Sequence, residues 1–90
     1  MGIMIGMVWN MTTSQCVKFR LMELCREKNV TFYGLARSAA VPPSTVKSIL
    51  NGASRNPGIV TIKMLCDALE ISLAEFFDTE EFRNLEQEIK

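Results

Sequence analysis

Three cysteines, Cys16, Cys25 and Cys66, carry the most nameable chemistry in this 90-residue chain, and their spacing rules most of it out. No two of them form a CxxC pair, and with no His in the chain a zinc ligand set is missing. They read as reduced thiols of a cytoplasmic protein, with Cys25 and Cys66 serving as small core residues. Cys16 falls near the start of the first expected helix, where the helix dipole lowers a thiol pKa, so a redox role is weighed for it alone. It has no evident base partner, and without His the usual general-base machinery is absent. No enzyme activity, metal, cofactor or small-molecule substrate is expected.

The remaining chemistry is that of charge. Ten Lys and Arg balance ten Asp and Glu, but unevenly along the chain. Residues 1–66 hold eight cations against Glu23 and Glu27, and residues 67–90 hold eight carboxylates against Arg83 and Lys90. Such a split implies one surface that attracts a polyanion and another that repels it.

These groups must be positioned by helices. Thr12, Thr13 and Ser14 are N-cap candidates for a helix over about 14–28, with Val17, Leu21, Leu24 and Cys25 along one stripe. Thr31 can cap a second helix over about 32–38, with Leu35 and Ala36 inward. Ala39 to Val41 reads as a turn. Pro42-Pro43 then opens a third helix over about 43–51, ended by Asn51-Gly52. After the polar loop Ala53 to Gly58, a fourth helix covers about 59–69, with Ile62, Leu65, Cys66 and Leu69 inward. Ser72-x-x-Glu75 has the capping-box form and starts a fifth. Asp78-x-x-Glu81 repeats the signal for a last helix over about 79–89, with Phe82, Leu85 and Ile89 on one side and offered as a dimer contact. The fold class is all-α, a bundle of five or six short helices.

Residues 1–11, MGIMIGMVWNM, are apolar and uncharged, too short to span a bilayer, and lack the basic start and cleavage site of a signal peptide. No membrane association is expected. The segment reads first as a disordered leader and second as a β-forming arm over Ile3–Trp9, the arm being kept in view because an exposed indole at Trp9 is costly surface. The expected organisation is an arm over 1–13, flexible or exchanged in a dimer, a domain over 14–78, and a C-terminal helix over 79–90.

Residues 31–52, TFYGLARSAAVPPSTVKSILNG, have the helix-turn-helix layout: two short helices joined by a tight turn, the second with a free outer face able to enter a major groove. The run T-V-K-S-I-L-N-G, the loop ending at Pro57, and T-I-K-M-L-C-D-A-L-E-I-S-L-A-E-F-F together resemble the Cro/phage-repressor (XRE-type) helix-turn-helix family over about residues 16–78. The resemblance implies a compact lambda-repressor-like domain that binds double-stranded DNA as a homodimer and acts as a transcriptional repressor. It also implies roles for particular residues. Pro43, Ser44, Lys47 and Ser48 match positions that reach base edges, where serine hydroxyls read bases less selectively than Arg or Gln. Thr45, Asn51, Arg55 and Asn56 match positions that hold the sugar-phosphate backbone.

Five positions depart from the family pattern. Phe32 stands where many relatives place a Gln that bonds phosphate and braces the recognition helix, so it packs on sugar or joins a protein contact. Ala40 replaces the usual turn glycine, at a cost of about 1 kcal/mol if its backbone is left-handed. Pro42 replaces the Ser/Thr cap, losing about 1 kcal/mol. Cys25 and Leu50 occupy the places of a buried Arg–Glu pair found in some relatives. Phe32, Tyr33, Pro42 and Pro43 make this face unusually apolar, which supports a second reading: a protein-interaction module, such as an antitoxin or bridging factor, on the same fold.

Overall fold

The computed structural model describes residues 11–89. The apolar stretch 1–10, expected as a leader or arm, lies outside the described residues. Six helices follow one another: α1 (Thr13–Lys28), α2 (Phe32–Ala39), α3 (Pro43–Leu50), α4 (Ile59–Leu69), α5 (Leu73–Phe77) and α6 (Glu80–Arg83), with no strand among the described residues.

Each start has a local cause. Thr12 and Gln15 form a reciprocal capping box on α1, Thr31 accepts from the Gly34 N–H on α2, and Ser72 accepts from the Glu75 N–H on α5. Proline opens α3: Pro43 sits at its first position, where a missing N–H costs nothing, while Pro42 offers no side-chain cap. The stops of α1, α2 and α4 use left-handed Asn29, Ala40 and Glu70. Asn tolerates that conformation, whereas Ala40 and Glu70 hold it against a Cβ penalty. Behind Ala40, the Val41 N–H returns to the Ala36 carbonyl at 2.9 Å, setting the bend between α2 and α3.

The core is one cluster. Leu21 and Leu24 of α1, Leu35 and Ala36 of α2, Val46 and Ile49 of α3, Leu65 and Leu69 of α4, and Phe76 of α5 are all buried in it. Helix α2 packs on α3 and α4, α1 packs on α3 and α6, and α4 packs on α5. The apolar positions 17, 21, 24, 25, 62, 65, 66 and 69 are all inside, as their helical spacing requires.

The C-terminal end differs from expectation. No helix runs over 79–89: α6 is a single turn capped by Thr79, not Asp78, whose hydroxyl accepts from the Phe82 N–H, and it ends at Asn84. Phe82 turns inward, its ring 4.9 Å from that of Phe77 and 6.1 Å from that of Phe76, and is half-buried there. Ile89 is fully out in solvent at 87% exposure, so the expected apolar stripe of Phe82, Leu85 and Ile89 does not form. The chain instead leaves helical conformation and brings Glu88 to the start of α1, where its carboxylate accepts from the Thr13 hydroxyl at 2.7 Å and backbone N–H at 3.4 Å. A carboxylate there satisfies free N–H groups and complements the helix dipole, an interaction a continued helix would forgo.

Candidate nucleic-acid interface

Helix α3 is pinned to the core by Val46 and Ile49, which fixes the opposite face outward. Pro43, Ser44 and Lys47 are exposed, and Thr45 and Ser48 are half-buried along its flanks. Ser44, Lys47 and Ser48 are three and four residues apart, the spacing that puts side chains on one side of a helix. Gly52, at φ +82°, lets the chain leave α3 sharply. The loop then folds back, with the Ser54 N–H donating to the Ser48 carbonyl at 3.0 Å. Asn51 stiffens this exit by accepting from the Ala53 N–H through Oδ1 at 2.9 Å, which leaves its amide hydrogens to serve an outside acceptor such as phosphate.

Two grooves flank α3. One, of about 370 Å³, lies between α3 and the start of α2 and brings Phe32, Pro43, Lys47 and Asn51 together with Thr31, Tyr33, Val46 and Leu50. Phe32 is half-buried and packs against the core, bracing α2 on α3 by apolar contact where a hydrogen bond was the alternative. Tyr33 beside it is 63% exposed. The other groove is larger, about 1000 Å³; it brings Asn51, Arg55 and Asn56 against the start of α1, from Thr12 to Gln15, and Lys18, with Glu88 on its wall. The start of α1 was not among the sequence candidates, although the Thr-Thr-Ser run that caps it could have pointed to available N–H groups there.

The cations separate into two groups. Arg20, counted from the sequence as part of the basic half, is a fold residue. Its Nε donates to the Phe76 carbonyl at 2.7 Å, Nη2 to the Glu75 carbonyl at 2.9 Å, and Nη1 to Glu23 at 2.7 Å. Lys63 pairs with Asp67 one turn along α4. Among the described residues, no carboxylate pairs with Lys47 or Arg55, which remain available to an external anion.

The thiols show no sign of activation. All three are buried, and burial raises each above its ordinary pKa. For Cys16 the nearby Glu81 raises it further, and its Sγ lies 3.9 Å from the Glu81 carbonyl. The lowered pKa expected from the α1 dipole is overturned, because desolvation dominates at this site.

This outward α3, braced by α2 and followed by a cationic exit loop, agrees with the comparisons. Residues 20–81 match the model of the Cro/C1-type HTH DNA-binding domain. The chain belongs to that family. The fold is also similar to the crystal structure of the prophage Lp1 protein 11, at 37% identity, with 79% of this chain and 93% of that chain covered and a TM-score of 0.73. No curated protein matches the chain. Among the described residues no helix is long and apolar enough to cross a membrane.

Proposed function

We propose that this Cro/C1-type chain is a cytoplasmic transcriptional repressor that inserts α3 into the major groove of its operator as a homodimer. Ser44, Lys47 and Ser48 meet base edges, while Thr45, Asn51, Arg55 and Asn56 hold the backbone. The observation that carries the reading is the exposed polar face of α3 with two cations, Lys47 and Arg55, left without carboxylate partners among the described residues. Counter-ions released when such cations meet phosphate drive binding and make it salt-sensitive. Support for pairing of two copies comes from Ile59 and Val60, 57% and 69% exposed, just beyond the cationic loop at the start of α4. They offer an uncharged contact surface beside the DNA face.

Selection of bound duplexes from a random pool, followed by titration over a range of salt, tests this. Affinity falls steeply with salt, selected sites contain two related half-sites, and Lys47→Ala and Arg55→Ala each weaken binding. Arg55→Ala does so about equally on all sequences and reduces the salt slope by roughly one. Native affinity in both variants removes this docking face. Selected sites without half-site symmetry remove the dimer.

A further inference from the structure

The N-terminal edge of the outward face of α3, where it meets the start of α2, is apolar, unlike the Ser44–Lys47–Ser48 stretch beside it. Pro43 is exposed at the first position of the helix and has neither a side-chain polar atom nor a backbone N–H to offer. Phe32 and Tyr33 stand across the adjoining groove of about 370 Å³, whose floor is Val46 and Leu50. Among the described residues Lys47 is the one charged residue on its wall and no carboxylate lines it, so the lip suits the edge of a polyanion.

A base pair shows mostly hydrogen-bonding atoms in the major groove; its one alkyl group there is the C5 methyl of thymine, where cytosine has only a C5 hydrogen. An N7, O6 or amino group pressed against the Pro43 ring would give up water and gain no partner, which penalises the other bases at that position. A thymine methyl in the same place loses only unfavourable hydration. We propose that the lip formed by Pro43, Phe32 and Tyr33 reads thymine C5 methyl groups, and that this contact, more than the serine hydroxyls, sets which base is preferred at the outer part of each half-site. The inference rests on the groove-docking reading above and adds the group that is recognised.

The test removes the methyl and nothing else. Duplexes selected by the full chain are remade with each thymine replaced in turn by deoxyuridine, and binding is measured by fluorescence anisotropy at fixed salt. Affinity falls about fourfold at each contacted thymine, the factor expected for burial of one methyl-sized group. In the Pro43→Ser chain that difference between thymine and uracil shrinks toward none, although the variant still binds duplex. Methyl removal without effect at every thymine of the native chain overturns the proposal while leaving the DNA reading intact. An equal uracil effect in the native, Pro43→Ser and Tyr33→Ala chains does the same. Failure of the native chain to select any duplex overturns both. The deoxyuridine series on the native chain decides the matter even if a variant folds poorly.

Discussion

Arg20 gives the sharpest separation between charge used for folding and charge left available to an external anion. Its side chain is only 12% exposed, and its guanidinium spans the end of α5, reaching the carbonyls of Glu75 and Phe76. In Arg20→Ala the Glu75 carbonyl keeps the Asp78 N–H at 3.3 Å, but the part-buried Phe76 carbonyl loses its 2.7 Å donor. A hydrogen bond from a charged donor contributes about 1.5–3 kcal/mol net, and the two bonds share one side chain, so they do not simply add. The Glu23 partner is half-exposed and adds little. The expected loss is therefore about 2–3 kcal/mol, or a fall in Tm of at least about 8 °C for a domain of this size. Urea unfolding reads it as a lower midpoint at unchanged m-value. Arg20→Lys recovers less than half, because one ammonium cannot bridge two carbonyls as the planar fork does. At a temperature where the variant is fully folded, the salt slope of DNA binding stays native, in contrast to Arg55→Ala. A stability loss below about 0.5 kcal/mol would refute the tie between α1 and α5. So would a salt slope reduced as much as in Arg55→Ala, which would place Arg20 on the DNA.

Further outcomes follow from local geometry. Ala40 is exposed at φ 58°, so Ala40→Gly removes a Cβ penalty of about 1–2 kcal/mol while adding about 0.4–1 kcal/mol of unfolded-state entropy. The net is a modest rise in the urea midpoint with DNA affinity unchanged; a lower midpoint contradicts the strain. The three thiols ionise less readily folded than unfolded, so their contribution to stability is complete below the ordinary thiol pKa of 9.0 and is lost as pH rises through the higher folded values. Unfolding midpoints measured from pH 7 upward should decline across that window in the native chain, and less in a Cys16→Ala variant; equal declines remove Cys16 from the account. Glu88 places a carboxylate on the wall of the groove that holds Arg55. Glu88→Gln should raise DNA affinity a few-fold at low salt and less at high salt, read by anisotropy. Unchanged affinity at low salt shows that its field does not reach the bound phosphates.

Much of this protein could be read before its coordinates. Thr12, Thr31, Pro43 and Ser72 marked the starts of α1, α2, α3 and α5, because capping and proline effects act within one turn of chain. The 3.6-residue spacing of Leu21 and Leu24, of Ile62, Leu65 and Leu69, and of Val46 and Ile49 identified the inner faces, and so left Ser44 and Lys47 outside. The end of the chain resisted the same reasoning. Phe82, Leu85 and Ile89 have helical spacing, yet the ring of Phe82 finds Phe76 and Phe77, and Glu88 finds Thr13, a residue 75 positions away. Periodicity records what a helix could bury; it carries no record of a competing partner from elsewhere in the chain. Likewise, Arg20 and Arg55 are the same residue type, and only packing made one a brace for α5 and left the other facing solvent. Cys16 lies where a dipole lowers a thiol pKa, yet the burial that raises it is a property of assembled helices. Local sequence determined the first five helices and the outward face of α3. Tertiary structure decided which charges were spent within the fold, since desolvation and long-range pairing exist only once distant segments meet.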